Sequence, residues 1–568
     1  MQIRPPFLLT ALLAAFASAA SAQPNDAETS QAAQSAKYTP PQAICLPLDS
    51  RPCNRLFPAQ MARIGGGELL MPDTFYLGKA YTPGNTEKLA QWLLAQPIAS
   101  DAIISADMLA YGGLIASRTA ETSEEQALQN LQVLQTLCDK GQKLEVLVTL
   151  PRLSLRTSDR QAPYEAALKN WATSGSLDKL PNVPEDIFNE YMQVRRRNFN
   201  VVCHLIDLAA QGTLQKLVIG LDDSAHNKGL HIEERARLNK YIAEKKAASR
   251  VVFLSGADEL TCCMTAGWLS RVNNYNPRLE LIYSDPKAAD TIPLLENSTL
   301  KETVEMHMAL SGAIPAEGTG TALFIETPSD KPYAVPVQEG TAETKALAEN
   351  LLKRIETLKS VRSDRPYGIA DLRLVNRAEP IFAQTVIDKL PIWELSAYSA
   401  WNTPSNSLGT AIAQACVQQI GIVRGSGWDA YSRLESEKTQ QAFTVARLID
   451  DYAYQAVIRQ ELKQDYNNID MRSDPLLNAA GPAGLKARSL AIPWAQNLWR
   501  DKLENKSYYS RIVADCVYFD SMQLEIVLPW PRLFEIEERL NLTVLPYKDK
   551  PSAGQKAPKA ENKFAKES

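Results

Sequence analysis

Between residues 43 and 399 the chain alternates short apolar, often β-branched runs with longer stretches of helical character. The runs are 43–48 (AICLPL), 102–106 (AIISA), 144–150 (LEVLVTL), 216–221 (KLVIGL), 250–255 (RVVFLS), 279–283 (LELIY) and 322–326 (ALFIE), with weaker ones at 367–371 (YGIAD) and 395–399 (LSAYS). Near-continuous apolar runs suit strands covered on both faces, as in parallel sheets. Strand–helix alternation sustained this long predicts an α/β fold. The number of units fits a (β/α)8-like barrel with one strand over; doubly wound sheets are the alternative. No internal repeat is evident. Of the helices, 182–212 is the clearest, with Asn182 to cap it and Ile187, Tyr191 and Val194 on one stripe. Its Arg195-Arg196-Arg197 run reads as a solvated face. Past residue 408 strand signals fade: 439–463, 487–503 and 532–540 read as helices, with a β-like patch at 512–519.

The ends of the chain read differently. Arg4, an apolar stretch at 7–17 and Ala20-Ser21-Ala22 have the three-part plan of a signal peptide cleaved after Ala22. The expected location is therefore the periplasm or the exterior. Residues 23–40 read as a linker, 41–408 as an α/β catalytic domain and 409–547 as a mainly helical region. Residues 548–568, rich in Lys, Pro, Ala and Glu, read as a disordered tail. No run is long enough to span a bilayer, so the mature chain is expected to lack an integral membrane segment. The net charge of -4 argues against a nucleic-acid partner. The eight cysteines lack a disulfide framework's spacing, and no C-x-x-C pair offers a zinc site. Most read as buried apolar residues.

The chemistry is expected where the runs end, because parallel α/β folds bind ligands at the carboxyl ends of their strands. The first run leads into Asp49, Arg51 and Asn54, and the second into Asp107 and Tyr111. The third leads into Pro151-Arg152 and the fourth into Asp222-Asp223 and His226. The fifth leads into Asp258-Glu259, the sixth into Asp285 and the seventh into Glu326. Any one acid could be a helix cap, and Asp285 reads best as one. The series together predicts a convergent acidic pocket. In Asp222-Asp223 each carboxylate disfavours ionisation of the other, which yields a proton donor beside an ionised partner. Successive residues of an extended chain point opposite ways, so a bend after Leu221 is needed to aim both at one ligand.

After the last run comes Trp401-Asn402-Thr403-Pro404-Ser405-Asn406. The indole offers a flat face to a sugar ring, Asn402 and Asn406 offer amides to hydroxyl or acetamido groups, and Tyr398 adds a ring. The same residues also make a turn capping a helix that begins near residue 408.

Four stretches, PLDSRPCN (47–54), DMLAYGGLIASR (107–118), LDDSAHNKG (221–229) and AWNTPSNSLGTA (400–411), resemble the bacterial family known as domain of unknown function 4127, over residues 43–540. The Asp-Asp pair and the W-N-x-P-x-N segment are also similar to those of family 84 glycoside hydrolases, the O-GlcNAcase-like β-N-acetylhexosaminidases. That resemblance implies that Asp222 polarises a substrate acetamido group and Asp223 acts as general acid/base, while Asn402 and Asn406 bind sugar. In those enzymes the pair follows barrel strand four.

The expected function is an exported glycoside hydrolase acting on a carbohydrate, N-acetylated if the resemblance holds, and working without a cofactor. Asp222 and Asp223 are the catalytic pair. Asp49, Arg51, Asn54, Asp107, Tyr111, His226, Asp258, Glu259, Trp401, Asn402 and Asn406 are the binding residues. Two alternatives remain. One is a metal-dependent hydrolase in which Asp49, Asp107, Asp222, Asp223, Asp258 and His226 hold a divalent cation. The other is a non-catalytic periplasmic carbohydrate-binding protein, a class that would show two similar α/β lobes.

Overall fold

The apolar runs form strands: β1 (Gln42–Leu46), β3 (Asp101–Ser105), β4 (Lys143–Leu150), β5 (Lys216–Leu221), β6 (Val251–Ser255), β7 (Arg278–Tyr283), β9 (Thr321–Glu326), β10 (Tyr367–Asp371) and β11 (Leu395–Ser399). Two short strands join them, β2 (Glu68–Leu70) and β8 (Ile314–Pro315). The computed structural model describes residues 37–97, 100–174, 177, 182–224, 229–327, 341–466 and 480–550. The segment expected to be a signal peptide, most of the expected linker, residues 551–568 and His226 lie outside these residues.

The strands make two open, all-parallel sheets and no closed barrel. The first has the order β2-β1-β3-β4-β5-β6 and the second β11-β10-β9-β7-β8. Counted within each sheet, both read 2-1-3-4-5, one of the two common doubly wound orders, with β6 added to the first. The doubly wound alternative thus describes the molecule. A barrel and a pair of open sheets are built from the same βα units and differ in what the later strands pair with. Here β7 pairs with β8 and β9 and starts a new sheet. Although no sequence repeat is visible, the topology repeats.

Alternation along the strands explains why both faces are covered. In β5, Leu217, Ile219 and Leu221 point into a core shared with Val202 and Leu205 of helix Glu185–Gln211. Val218 points the other way, into a core that also takes Leu323 and Ile325 of β9. Helices Pro52–Ile64, Leu260–Val272 and Pro404–Arg424 contribute to this second core, which therefore joins the two sheets. Each fully buried aliphatic or aromatic side chain there contributes roughly 1.5–3 kcal/mol.

Helix Glu185–Gln211 ends on Gly212, whose φ of 91° suits a residue without Cβ. It starts after Pro184, later than Asn182, and its arginines correct the expectation of a solvated face. Arg195 and Arg197 are buried and only Arg196 is exposed. Arg195 donates to Glu234 and to the carbonyls of Pro151 and Arg152, and Arg197 to those of Ser117, Thr119 and Thr122.

After the second sheet come helices Ala430–Arg447, Arg459–Tyr466 and Pro482–Leu498, with the π-helical stretch Leu448–Ile458 between the first two. An antiparallel sheet follows: β12 (Ser507–Ser510), β13 (Asp515–Val527) and β14 (Glu537–Pro546), in that order. The helix expected at 532–540 is thus corrected to a loop entering β14. Leu542 and Val544 are buried while Arg539 and Asn541 face outward, a period of two. All eight cysteines are free thiols, and Cys45, Cys53, Cys262, Cys263 and Cys416 are buried. No described helix is long and apolar enough to cross a membrane.

Candidate functional site

Register brings the strand ends together. Leu150 pairs with Leu221 and Leu221 with Ser255, so β4, β5 and β6 end side by side. Beyond them lies a cleft of about 290 Å³. The first sheet lines it with Arg51, Arg118, Arg152, Asp222, Asp223 and Asp258. The second lines it with Glu296, Asn376, Asn402, Thr403, Ser405 and Asn406. The loop between β13 and β14 closes one side with Trp530, Arg532 and Phe534.

Asp222 and Asp223 do not cap the next helix, which starts at Leu230 behind Gly229. Asp223 has φ +41°, the bend that lets both carboxylates face one cleft. Leu295, Asn376 and Asn402 also line the cleft with φ of 68°, 69° and 69°. Such left-handed non-glycine residues store strain and concentrate at functional sites. Asp222 is ion-paired with Arg118. Arg152 Nη1 donates to Asp223 Oδ2 at 2.8 Å. Burial alone would raise both acids. For Asp222 the guanidinium groups of Arg118 and Arg152 win and hold it below the usual aspartate range. For Asp223 burial, reinforced by the Asp222 charge, outweighs Arg152 and pushes it up. The acidities of the two neighbours are therefore driven in opposite directions, Asp222 down and Asp223 up.

Arg51 is a fork between two acids. Its Nε and Nη2 donate to Asp49 Oδ2 at 2.9 and 2.7 Å, and its Nη1 and Nη2 to Asp258 at 2.9 and 2.6 Å. Asn402 Nδ2 donates to the same Asp258 at 3.2 Å, which links the loops of the two sheets. Glu296 accepts from Ser405 N and Oγ at 3.0 and 2.7 Å, and burial raises it to about 7. Asn406 Nδ2 donates to Thr403 Oγ1 at 2.7 Å, while its buried Oδ1 has no partner among the described residues. Trp530 Nε1 donates to Ser50 Oγ at 2.9 Å, and Arg51 and Arg532 lie over its ring.

Of the residues expected from the sequence, Arg51, Asp222, Asp223, Asp258, Asn402 and Asn406 meet in the cleft. His226 lies outside the described residues, and the other expected residues do not line the cleft. Asp49 and Asn54 are buried behind Arg51, Asn54 donating to Asp49 at 2.9 Å. Asp107 is buried and accepts from Thr149 N and Oγ1; burial raises it to about 7. Tyr111 is buried with Arg197 4.5 Å from its ring centre. Glu259 is turned into the core, where His307 Nε2 lies 2.8 Å from it. Trp401 is also a core residue, 4% exposed, its ring 5.8 Å from that of Phe534. Glu326 is buried against Arg354 and Arg373, and Tyr398 is buried. Asp285 caps a short helical turn, accepting from Lys287 N. The pocket is not purely acidic: four arginines and four acids line it.

Arg118 and Arg152 lie in the polar stretches after β3 and β4 but carry no local mark of a site, since their partners Asp222 and Asp223 are far along the chain. Nothing local marked Glu296, Asn376, Trp530, Arg532 or Phe534. As for a metal, Asp49, Asp222, Asp223 and Asp258 are each engaged by an arginine. Among the described residues no group of three or more His, Cys, Asp or Glu is arranged to hold an ion.

The fold and cleft define a class: a parallel α/β protein of two topologically alike sheets with a cleft at their carboxyl ends. The model of the family described as "Protein of unknown function (DUF4127)" matches residues 43–538, and the chain belongs to that family. No curated protein and no solved structure gives a significant match.

Proposed function

We propose that this protein is an exported glycoside hydrolase whose active site is the cleft between the two parallel sheets. The observation that carries the reading is the Asp222-Asp223 pair, two adjacent acids facing one cleft with acidities driven apart. Asp223, held toward its protonated form, is the general acid that protonates the leaving glycosidic oxygen. Asp222, kept ionised by Arg118, accepts a substrate N–H or hydroxyl and steadies developing positive charge. The amide groups of Asn402 and Asn406 in the same cleft suit sugar hydroxyls or an acetamido group. The likeness to family 84 glycoside hydrolases enters through these residues alone, because here the pair follows a strand of an open sheet. Export rests on the signal-peptide pattern of residues 1–22.

The repeated strand order favours a second reading, a carbohydrate-binding protein of two lobes. Against it, one apolar core runs through both sheets, whereas a binding protein that closes on its ligand needs lobes that part at a hinge. The test is a panel of nitrophenyl glycosides and polysaccharides offered to wild type and Asp223→Asn, with and without EDTA. Turnover lost in the variant and insensitive to EDTA supports the hydrolase. Sugar binding with no turnover supports the binding protein, and EDTA-sensitive turnover supports the metal enzyme.

A further inference from the structure

Among the described residues, two arginines of the cleft, Arg118 and Arg152, make one side-chain hydrogen bond each. Arg118 is 12% exposed in its side chain, and its side-chain hydrogen bond goes to Asp222. The single side-chain bond of Arg152 goes to Asp223. The Nε of each is buried without a partner among the described residues. Arg195 and Arg197 show what this chain does with a guanidinium used purely for structure. Arg195 donates from Nε, Nη1 and Nη2 to Glu234 and two carbonyls, and Arg197 donates from the same three nitrogens to Asn198 and three carbonyls. A buried polar donor left unpaired costs about 1–3 kcal/mol, and more when charged. Among the described residues unpartnered nitrogens occur also at Arg354, Arg373, Arg424, Arg447 and Arg459, whose guanidinium groups lie over aromatic rings, and at Arg55, Arg156 and Arg433, which lie outside the cleft. Arg118 and Arg152 line the open cleft instead, and Arg532 lines it with them.

From this unmet donor capacity we infer that the cleft takes a substrate bearing a carboxylate, such as an acidic sugar, received by Arg152 and Arg118 beside the Asp222-Asp223 pair. The inference rests on the glycoside-hydrolase reading for the word sugar and on the arginines for the word carboxylate. A planar carboxylate matches a guanidinium edge with two parallel bonds. A dianion such as phosphate suits the cleft less well, because Asp222, Asp223, Asp258 and Glu296 line it too. A carboxylate that takes over Arg152 competes directly with Asp223 for it. Substrate binding then loosens the one ion pair that holds Asp223 toward its ionised form and leaves the acid ready to carry a proton.

The test is calorimetric titration of the full chain with D-glucuronate, D-glucose and D-glucose 6-phosphate, on wild type, Arg152→Gln, Arg118→Gln and Asp223→Asn. The expected result is glucuronate binding at least about tenfold tighter than glucose, the difference a charge-assisted bidentate bond makes. Arg152→Gln and Arg118→Gln lose that preference with their circular dichroism unchanged, and Asp223→Asn keeps it. Equal affinity for glucuronate and glucose, no glucuronate binding, tighter binding of the phosphate, or a preference surviving in both arginine variants overturns the inference. Cleavage of neutral glycosides with no preference for acidic ones sinks the inference and leaves the hydrolase reading standing. Glucuronate binding by a protein that cleaves no glycoside does the reverse.

Discussion

The two parallel sheets share a strand order and carry different chemistry. At the end of β5, the fifth strand of its sheet, stand Asp222 and Asp223, met by arginines from the loops after β3 and β4. At the end of β11, the fifth strand of the other, stand Trp401 and Asn402, and the lining there is mostly amide and hydroxyl. The second sheet has acids at strand ends as well. Arg354 of helix Ala342–Val361 and Arg373 bury Glu326, and Asp371 accepts from the backbone of Arg373 and Glu379. The position of a cation decides what a strand-end acid does. When the arginine reaches it from a loop over the cleft, the acid stays accessible to a ligand. Arginines outside the cleft, such as Arg354 on its helix and Arg373 after β10, turn it into a structural ion pair. On the proposed reading the first sheet supplies the chemistry and the second recognition and support.

Asp223→Asn tests the chemical side most severely. Loss of a general acid typically lowers kcat by about 10²–10⁴, so the variant should fold normally and be nearly inactive in a glycosidase assay. Unchanged turnover would remove Asp223 from the mechanism and the first sheet from its role.

On the supporting side the largest effect belongs to Arg447, fully buried against Asp450, Asp451 and Glu538. Asp451 in turn accepts from Ala400 N at 2.7 Å, and Gln455 Nε2 donates to the Phe534 carbonyl at 2.7 Å, so this π-helical stretch anchors two cleft loops. Arg447→Met strands buried carboxylates and should cost about 3–5 kcal/mol in urea unfolding.

Trp401→Ala should cost a similar ~3–5 kcal/mol as a core truncation, with KM little changed under conditions where the variant is folded. A large rise in KM with stability intact would move Trp401 from support to recognition.

Asn406→Ala sharpens the recognition role. Its free Oδ1 is worth about 1 kcal/mol to a ligand donor, so KM should rise roughly fivefold with kcat nearly unchanged.

The smallest effect is a slope. Burial raises Glu296 from 4.5 to about 7, so the folded state holds this proton more tightly than the unfolded chain does. Between those values the folded state binds more protons, and the stability contributed by this group falls as pH rises. Glu296→Gln should therefore gain more in melting temperature over wild type at pH 8 than at pH 5. An equal gain at both would place the titration of Glu296 elsewhere.

Much of this molecule was legible in local patterns. β5, β10 and β11 lie at the residues that their apolar runs mark, since a strand buried on both faces shows itself within a few residues. The polar strand ends were legible for the same reason, and six of the expected site residues do reach the cleft. Trp401 was misjudged because a flat ring suits a sugar and a core equally well, and only packing against Phe534 distinguishes the two. Residues 532–540 were misjudged because a hydrophobic spacing that fits a helical turn also occurs where a loop enters a strand.

By itself the sequence determined the nine main strands of the two parallel sheets, that they run parallel, and that polar groups follow them, because these depend on neighbours a few residues away. Tertiary structure decided that the strands divide into two sheets and which cation each acid meets. Arg118 and Asp222 are 104 residues apart, and Arg51 and Asp258 are 207. Charge interaction falls off with distance in space and is indifferent to distance along the chain, so the fate of each acid was set only once the fold had brought its arginine to it.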